Sequence, residues 1–396
     1  MFYLRTIVCY HPYERSPSIL LSENERKVLN QINHDPFLSQ AVIAKQLNLS
    51  RSTVAGIISS LIQKQYIQGR AYIVHPTSDI YCIGAMNVDR IYQLEEELIL
   101  STSNPVTSSV TIGGVARNIA ENLGRLEQSV SLLSLAGDDA DYQMIKEQSQ
   151  AFVKFDHVKL ITEAVTSSYT AILDPQGQMQ VAFADMAICE AMDHHWIEEY
   201  TAILQTAKLL VADLNIQKQA VETLIQLAAN HQIPLIMIPV SGPKMKHLPH
   251  QLKGISWLIV NQDESEAYFQ QKVKNEADFI QLAQQWLERG VENILMTRGT
   301  DTTLYANQEG QLEFYQPPIN PKVVDVTGAG DSYAAGIIYG LAKGYAPQDA
   351  IYLGMANAYQ TVQSPSTVRK DLNAQQLEHE AQQLYQNQNN QKERVK

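Results

Sequence analysis

Five short, continuous apolar runs recur through the middle of the chain: Ser131–Ala136, Lys208–Ala212, Pro234–Ile238, Trp257–Val260 and Asn293–Thr297. Longer segments with helical spacing of apolar residues lie between them, for example Lys218–Asn230 and Glu276–Arg289. Strands that are apolar on both faces and separated by helices suit a parallel sheet, whose crossover helices must cover both faces. This alternation constrains the fold more than any other feature. It predicts an α/β chain built on a mostly parallel sheet. Two stretches break it: Ile91–Ile112, and Ser167–Ala184 around the turn Asp174-Pro-Gln-Gly177. Both read as β-ribbon.

The chain before His75 follows a different pattern. Its net charge also has the opposite sign. Residues 1–76 carry eight Lys/Arg against four Asp/Glu, a balance of +4, which leaves −16 for the rest of a chain whose total is −12. The coincidence of the two changes predicts a boundary near His75–Asp79, between a domain over 1–76 and another over 77–396. Ser22-Glu-Asn-Glu25 is a capping box ahead of Val28, Leu29 and Ile32. Ser39 precedes a second helix with Val42, Ile43, Ala44 and Leu47, and Ser50 caps a third over Arg51–Lys64. Tyr66–Val74 alternates around Gly69 like a small β-wing. Helix, helix, tight turn, helix and hairpin resemble a winged helix-turn-helix. That resemblance places Arg51, Ser52 and Thr53 at a DNA major groove, with Lys64 and Arg70 near phosphates. A helical module that packs on the rest of the chain or mediates assembly fits the same residues.

A length of 396 residues suits a large α/β domain plus a small one, and 45% apolar content fills a core of that size. Cys9, Cys82 and Cys189 lie far apart with no Cys-x-x-Cys, which argues against a disulfide framework or a zinc site and fits a reducing cytoplasm. The apolar run at Met1–Tyr10 is short for a secretion signal, and no stretch approaches the roughly 18 apolar residues of a membrane span. A soluble cytoplasmic protein is expected, with no membrane partner.

Chemistry concentrates in three places. Asp325-Val-Thr-Gly-Ala-Gly-Asp331 precedes the apolar, small-residue run Ser332–Leu341. Small residues on a turn leave backbone N–H groups uncovered, and a helix starting there adds the positive end of its dipole. A carboxylate, Asp331, in such an anion cradle makes sense as a base acting on the group that attacks a phosphate. The same residues also read as a plain helix start with Gly for the turn and Asp as a cap. Thr111–Leu126 opens an amphipathic helix on Gly113 and Gly114, with Asn118 in its first turn. Ile80–Asp89 reads as one buried strand, with Asn87 and Asp89 projecting the same way.

In this order and at these separations, the three segments resemble the ribokinase-like, or PfkB-type, carbohydrate kinases over residues 78–375. Within that family, Gly113–Leu123, Thr166–Asp174, Val181–Ile188, Val211–Ile216 and Pro239–Ser241 resemble the pseudouridine kinases, which phosphorylate the 5′-hydroxyl of pseudouridine with ATP. The resemblance implies a doubly wound α/β sheet with a small β lid, drawn from the two ribbons and often used for dimer contacts. It implies Asp331 as the catalytic base, with the backbone N–H groups of Gly328, Ala329 and Gly330 holding the transferred phosphoryl group. It implies sugar contacts from Asn87, Asp89, Gly113, Gly114 and Asn118. Thr166, Ser168 and Asp185 are candidates for reaching the base or closing the lid. For ATP it implies Lys244, Asn261, Thr297 and Gly299, beside Gly328 and Gly330. Glu264 matches the family residue that organises Mg²⁺ through water, although Asn261 and Glu264 also read as a strand end and a helix cap. Asp325 matches a monovalent-cation site, often filled by potassium.

Two positions depart from the family pattern. Ile238-Pro-Val-Ser stands where those kinases carry Asp-Pro-Val-Ser, and Gly299-Thr-Asp-Thr302 stands where the nucleotide loop has Gly-x-x-Gly. Thr is poorly suited to a positive φ, so the loop is expected to differ in shape. A DNA-binding regulator with a kinase-like ligand sensor remains an alternative reading, as does a kinase for another sugar. The Gln/Asn-rich end, Glu378–Lys396, is expected to fray from a helix into disorder.

Overall fold

The computed structural model describes residues 21–35, 38–64, 66–67, 79–319 and 322–395. The chain divides into two compact units, Met1–Pro76 and Thr77–Lys396. In the first, α1 (Glu23–His34), α2 (Gln40–Leu47) and α3 (Arg51–Gln63) each start on a capping serine. Ser22 and Glu25 form the expected reciprocal box, with the Ser22 N–H donating to the Glu25 carboxylate at 2.8 Å. Asn48 ends α2 in the left-handed region, which turns the chain sharply into α3. Val28, Ile43, Val54, Ile58 and Leu61 close a small core. The expected wing lies outside the described residues apart from Tyr66 and Ile67.

The second unit begins with β1 (Ile80–Ile83), β2 (Asn87–Leu94) and β3 (Val106–Gly113). There follow α4 (Val115–Arg125), β4 (Val130–Gly137), α5 (Ala140–Ser149) and β5 (Lys154–Ile161). Next come β6 (Ser168–Leu173), β7 (Met179–Asp185), α6 (His194–Glu199), α7 (Thr201–Leu204), β8 (Leu209–Asp213) and α8 (Lys218–His231). The chain continues through β9 (Leu235–Ile238), β10 (Trp257–Asn261), α9 (Gln262–Phe269), α10 (Glu276–Glu288), β11 (Asn293–Arg298), β12 (Thr302–Asn307) and β13 (Leu312–Tyr315). It ends with α11 (Ala329–Ala342), α12 (Pro347–Thr361) and α13 (Ala374–Val395).

All five apolar runs are buried strands of one nine-stranded sheet, ordered β13-β12-β11-β10-β9-β8-β1-β4-β5. It is parallel except for the edge pair β12 and β13. Helices cover both faces. One core layer holds Ile119, Leu123, Ile337 and Ile351; the other holds Leu224, Phe279, Leu282 and Trp286. The sheet is therefore doubly wound, as expected.

A second sheet, ordered β3-β2-β6-β7, forms the lid from the two ribbons. One boundary differs from the sequence expectation. Ile80–Asp89 is two strands, β1 in the main sheet and β2 in the lid, separated at Gly84–Met86. The chain leaves the main sheet there because a buried carboxylate, Asp213, takes the N–H of Ala85. The tail also differs: α13 continues through Val395.

Candidate active site

From β1 the chain winds outward through β4 and β5, then returns to the other side of β1 with β8 and continues to β9, β10 and β11. The winding direction thus reverses between β1 and β8. In open parallel sheets, ligands bind beyond the carboxyl ends of the strands at such a reversal. Here that edge carries Gly84, Asp213, Asn261 and Thr297, and the lid strand β2 starts from it.

Asp213, the last residue of β8, is fully buried. Its carboxylate accepts N–H bonds from Ala85 (3.1 Å), Ala116 (3.0 Å) and Asn215 (2.8 Å). Burial outweighs these bonds and pushes its pKa up to about 6. Because Ala116 lies in the first turn of α4, a strand carboxylate caps the helix that opens on Gly114. Gly114 has φ +98, and a Cβ there would lie 2.5 Å from the Ala85 carbonyl oxygen.

Asn87 and Asp89 share a face of β2, and the Asn87 amide donates to Asp89 Oδ1 at 2.6 Å. Gly113 pairs with Asn87, and any Cβ there would collide with the Asp89 carboxylate at 2.2 Å. Burial raises the Asp89 pKa above the usual carboxylate range. From α4, Asn118 Nδ2 donates to Asp331 Oδ2 at 2.6 Å, across 213 residues of sequence. The Asp331 carboxyl is lifted to about 6, chiefly by burial, while Asn118 and the Arg117 guanidinium hold it down. A base with a pKa just below neutrality is ionised at pH 7 and still accepts a proton readily.

Gly328 starts α11 with φ +79 and no side-chain cap. The Thr367 carbonyl oxygen lies 2.3 Å from where its Cβ would be. The N–H groups of Gly328, Gly330 and Asp331 take no hydrogen-bond partner among the described residues. Space beside Gly330 is open. The first turn of α11 thus presents bare main-chain donors next to a carboxylate of raised pKa. Ala329 requires a correction: its N–H closes a turn onto the Val326 carbonyl at 3.2 Å, so it is not free for an anion.

Three further candidates, expected to reach the base or close the lid, lie at the lid itself. The Thr166 hydroxyl donates to Asp139 Oδ1 at 2.7 Å and accepts from Gly137 N at 3.1 Å, so Thr166 is engaged at the foot of the lid. Ser168 pairs with Val88 and with Asp185, so both lie on the lid face opposite Asn87 and Asp89. The β6 residue on the Asn87 and Asp89 face is Tyr169, which pairs with Asp89 and is 36% exposed. Period-two alternation from Asp89 would have found it if the strand register had been known. Asp213 was legible only as a carboxylate after an apolar run.

Further along the same edge, Asn261 and Thr297 are register partners at the ends of β10 and β11. Asn261 and Glu264 form a capping box on α9: Glu264 N donates to Asn261 Oδ1 at 2.8 Å and Asn261 N to Glu264 Oε2 at 2.9 Å. Glu264 is buried and its pKa rises to about 7. Its other oxygen, Oε1, has no donor among the described residues. Lys244 lies near Cys189 at the foot of the lid, where its charge partly offsets the effect of burial on that thiol. The Gly299 loop is a tight turn, with Asp301 N donating to the Arg298 carbonyl at 2.9 Å. Its left-handed residue is Gly299 itself, φ +50, while Thr302 is already in β12 opposite Arg298. The expected conflict over Thr302 therefore does not arise. Ile238 is buried core at the end of β9. Asp325 Oδ1 accepts from Thr327 N at 2.8 Å.

In the first unit, Arg51, Ser52 and Thr53 are exposed at the start of α3. Both hydroxyls bond Ser50 Oγ, at 2.8 and 2.7 Å. Lys64 requires a correction. Its ammonium donates to Glu25 Oε1 at 2.6 Å and ties α3 to α1, so it is not a free phosphate contact. Arg70 lies outside the described residues.

The profile of pfkB family carbohydrate kinases matches residues 77–374, and that of winged helix-turn-helix DNA-binding domains matches residues 21–68. The uncharacterised sugar kinase YeiI of Escherichia coli (strain K12) is 29% identical over 85% of this chain and 93% of its own length. Pseudouridine kinase of the same organism is 32% identical over 65% of this chain and 82% of its own. A carbohydrate kinase from Agrobacterium tumefaciens superposes with a TM-score of 0.68 at 28% identity, covering 77% of this chain and 97% of that one. Ribokinase of Arabidopsis thaliana, solved with ribose and ATP, shares the fold at 0.69 and 16% identity, over 77% of this chain and 99% of that one. With three quarters of its length matched and its carboxyl-edge crevice built as described, this chain belongs to the pfkB family of carbohydrate kinases.

Proposed function

We propose that the protein transfers the terminal phosphoryl group of ATP to the 5′-hydroxyl of a nucleoside or sugar, with pseudouridine the leading acceptor. One observation carries this: Asn118 holds Asp331 beside main-chain donors that no group among the described residues occupies. In this reading Asp331 takes the proton from the attacking hydroxyl. That oxygen bonds to the terminal phosphorus as the bond to the leaving diphosphate oxygen breaks, and ADP departs. The N–H groups of Gly328, Gly330 and Asp331 receive the charge on the phosphoryl oxygens. Asn87 and Asp89 hold the sugar hydroxyls at the lid, and Gly113 and Gly114 let the sugar approach the backbone. Lys244, Asn261, Thr297 and Gly299 line the nucleotide side.

Among the described residues no group of three or more acidic, His or Cys side chains is placed to hold a metal. Magnesium keeps most of its waters and needs few protein ligands, so Glu264 with one unpartnered oxygen fits an outer-sphere role. When bound with ATP, the ion neutralises phosphate charge. Asp325 is the proposed ligand for a monovalent cation, potassium.

The 32% identity to a pseudouridine kinase supports the acceptor. The lid face opposite Asp89 carries exposed Val110 and Phe183, which supports a homodimer through the lids. No described helix is long and apolar enough to cross a membrane; the proposed compartment is the cytoplasm. The test is an ADP-release panel with pseudouridine, uridine, inosine, ribose and fructose. The reading requires one nucleoside or sugar to be phosphorylated, with pseudouridine preferred. Turnover of none, with pseudouridine still raising Tm, favours the second reading: a DNA-binding regulator that senses the nucleoside. That reading draws on the winged-helix match and on exposed Arg51 at the start of α3. Salt-dependent binding to DNA upstream of its own coding region, weakened by Arg51→Ala, is its direct check.

A further inference from the structure

Arg117 is 1% exposed, and its guanidinium serves four groups. It pairs with Glu121, donates to the carbonyls of Gly113 (3.2 Å) and Ile112 (2.7 Å), and donates to Asn118 Oδ1. Asn118 therefore stands between a group that only donates and a carboxylate, Asp331, that only accepts when ionised. Its amide has one satisfying orientation: oxygen to Arg117, nitrogen to Asp331. The same guanidinium holds the last two residues of β3. Gly113 there pairs with Asn87, which in turn bonds Asp89. One buried cation thus joins the carboxylate assigned to proton transfer and the strand that carries the sugar-binding carboxylate.

We propose that Arg117 is a positioning residue that fixes the Asn118 amide toward Asp331 and locks the foot of the lid in the same register. This rests on the kinase reading for its catalytic consequence, although the arrangement itself does not need it. The charged groups around Asp331 are Arg117 on α4, Asp89 on β2 and Asp213 on β8.

A second buried arginine gives the control. Arg369 is 2% exposed and pairs with Glu380. It donates to Asn357, whose amide reaches Asn122 and the Ser332 carbonyl, both at 2.9 Å. That network fastens α4 to α11 without touching the Asn118 side-chain amide or Asp331. A purely structural role for Arg117 would make the two arginines behave alike.

The test uses the full-length protein with Arg117→Lys, Asn118→Ala, their combination, and Arg369→Lys. Arg117→Lys is expected to lower kcat by ~10–100-fold, in the range of misplaced catalytic groups, and to move the acidic inflection of the kcat–pH profile upward. In the Asn118→Ala background its effect on kcat should shrink to what it does through the foot of the lid, because one of the two groups it acts through is gone. Arg369→Lys should lower Tm and leave the inflection in place. Because Arg117→Lys strains a buried pair, Arg117→Met/Glu121→Leu removes both charges together, at the cost of the Arg125 contact to Glu121 at 2.8 Å, and is held to the same shift. Multiplicative effects of Arg117→Lys and Asn118→Ala, or a fall in Tm with an unmoved inflection, overturn the proposal. If the protein turns over no acceptor, the kinase reading fails on its own. The Asp331 carboxyl resonance, followed by carbon NMR against pH, then decides the positioning claim: its midpoint rises in Arg117→Lys or the claim is wrong.

Discussion

Two helices of the kinase unit open on glycines in the left-handed region, and they meet different ends. α4 starts at Gly114 with φ +98, and α11 starts at Gly328 with φ +79; neither has a side-chain cap of its own. At α4 the chain supplies the anion itself, because Asp213 arrives from β8 and takes the Ala116 N–H. At α11 the Gly330 and Asp331 N–H groups stay bare among the described residues, and Gly330 faces open space there. The dipole and exposed donors favour negative charge at both starts. The difference is who provides it: a buried carboxylate locks one helix into the fold, while the other keeps its donors uncovered, for a ligand's phosphate in the proposed function.

Breaking each helix start should therefore do different damage. Gly328→Ala forces a side chain into a positive φ and onto the Thr367 carbonyl, so it should lower kcat by ~10²–10³-fold, the size of a lost oxyanion donor, and also lower Tm. Gly330→Ala sharpens the contrast. Apart from its own stretch of helix, no atom of the described residues lies within 4 Å of its added methyl, so Tm should hold while kcat/KM for ATP falls about tenfold. If Tm falls with it, the space beside Gly330 is part of the packing. At the other helix, Asp213→Asn replaces an acceptor of three N–H bonds with an amide. It should destabilise the unit by about 1–3 kcal/mol, read in a denaturant melt, with KM for ATP unchanged.

Acidity separates the two units as well. Asp213 and Asp331 rise to about 6 and Glu264 to about 7, so the folded kinase unit binds protons more tightly than its unfolded chain. Its stability should rise as pH falls from 8 toward about 5, by a few degrees in Tm. In the first unit, Lys64 and then Ser60 hold Glu25 down to about 2 from its ordinary 4.5. That contribution is intact at pH 5 and is lost as pH falls through the interval from 4.5 to 2. Calorimetry across pH 3–8 checks both signs. A kinase-unit transition that falls steadily from pH 8 to 5 contradicts the assignment.

The sequence displayed local features well and distant ones poorly. The capping serines, the capping boxes and the apolar strands depend on neighbours within a few residues, and they stand where their patterns put them. The break between β1 and β2 was not legible, because Asp213 imposes it from 128 residues away. For Ser168 and Asp185 the choice between reaching the base and closing the lid stays open in the sequence, because nothing local fixes the register of a lid strand, and a one-residue shift exchanges the faces. Ala329 and Lys64 carry the right chemistry, but the fold had already engaged it. Asp331, Asn118 and Asp89 were legible because three small-residue motifs converge only when the sheet brings their ends to one edge.

The most direct measurement is phosphoryl transfer, followed by ³¹P NMR, for the parent and for Asp331→Asn with the preferred acceptor. The account predicts a fall of ~10²–10⁴-fold in kcat, in a protein at least as stable as the parent above pH 6, where loss of a desolvated carboxylate relieves the fold. An Asp331→Asn protein that transfers phosphate at the parent's rate contradicts the account.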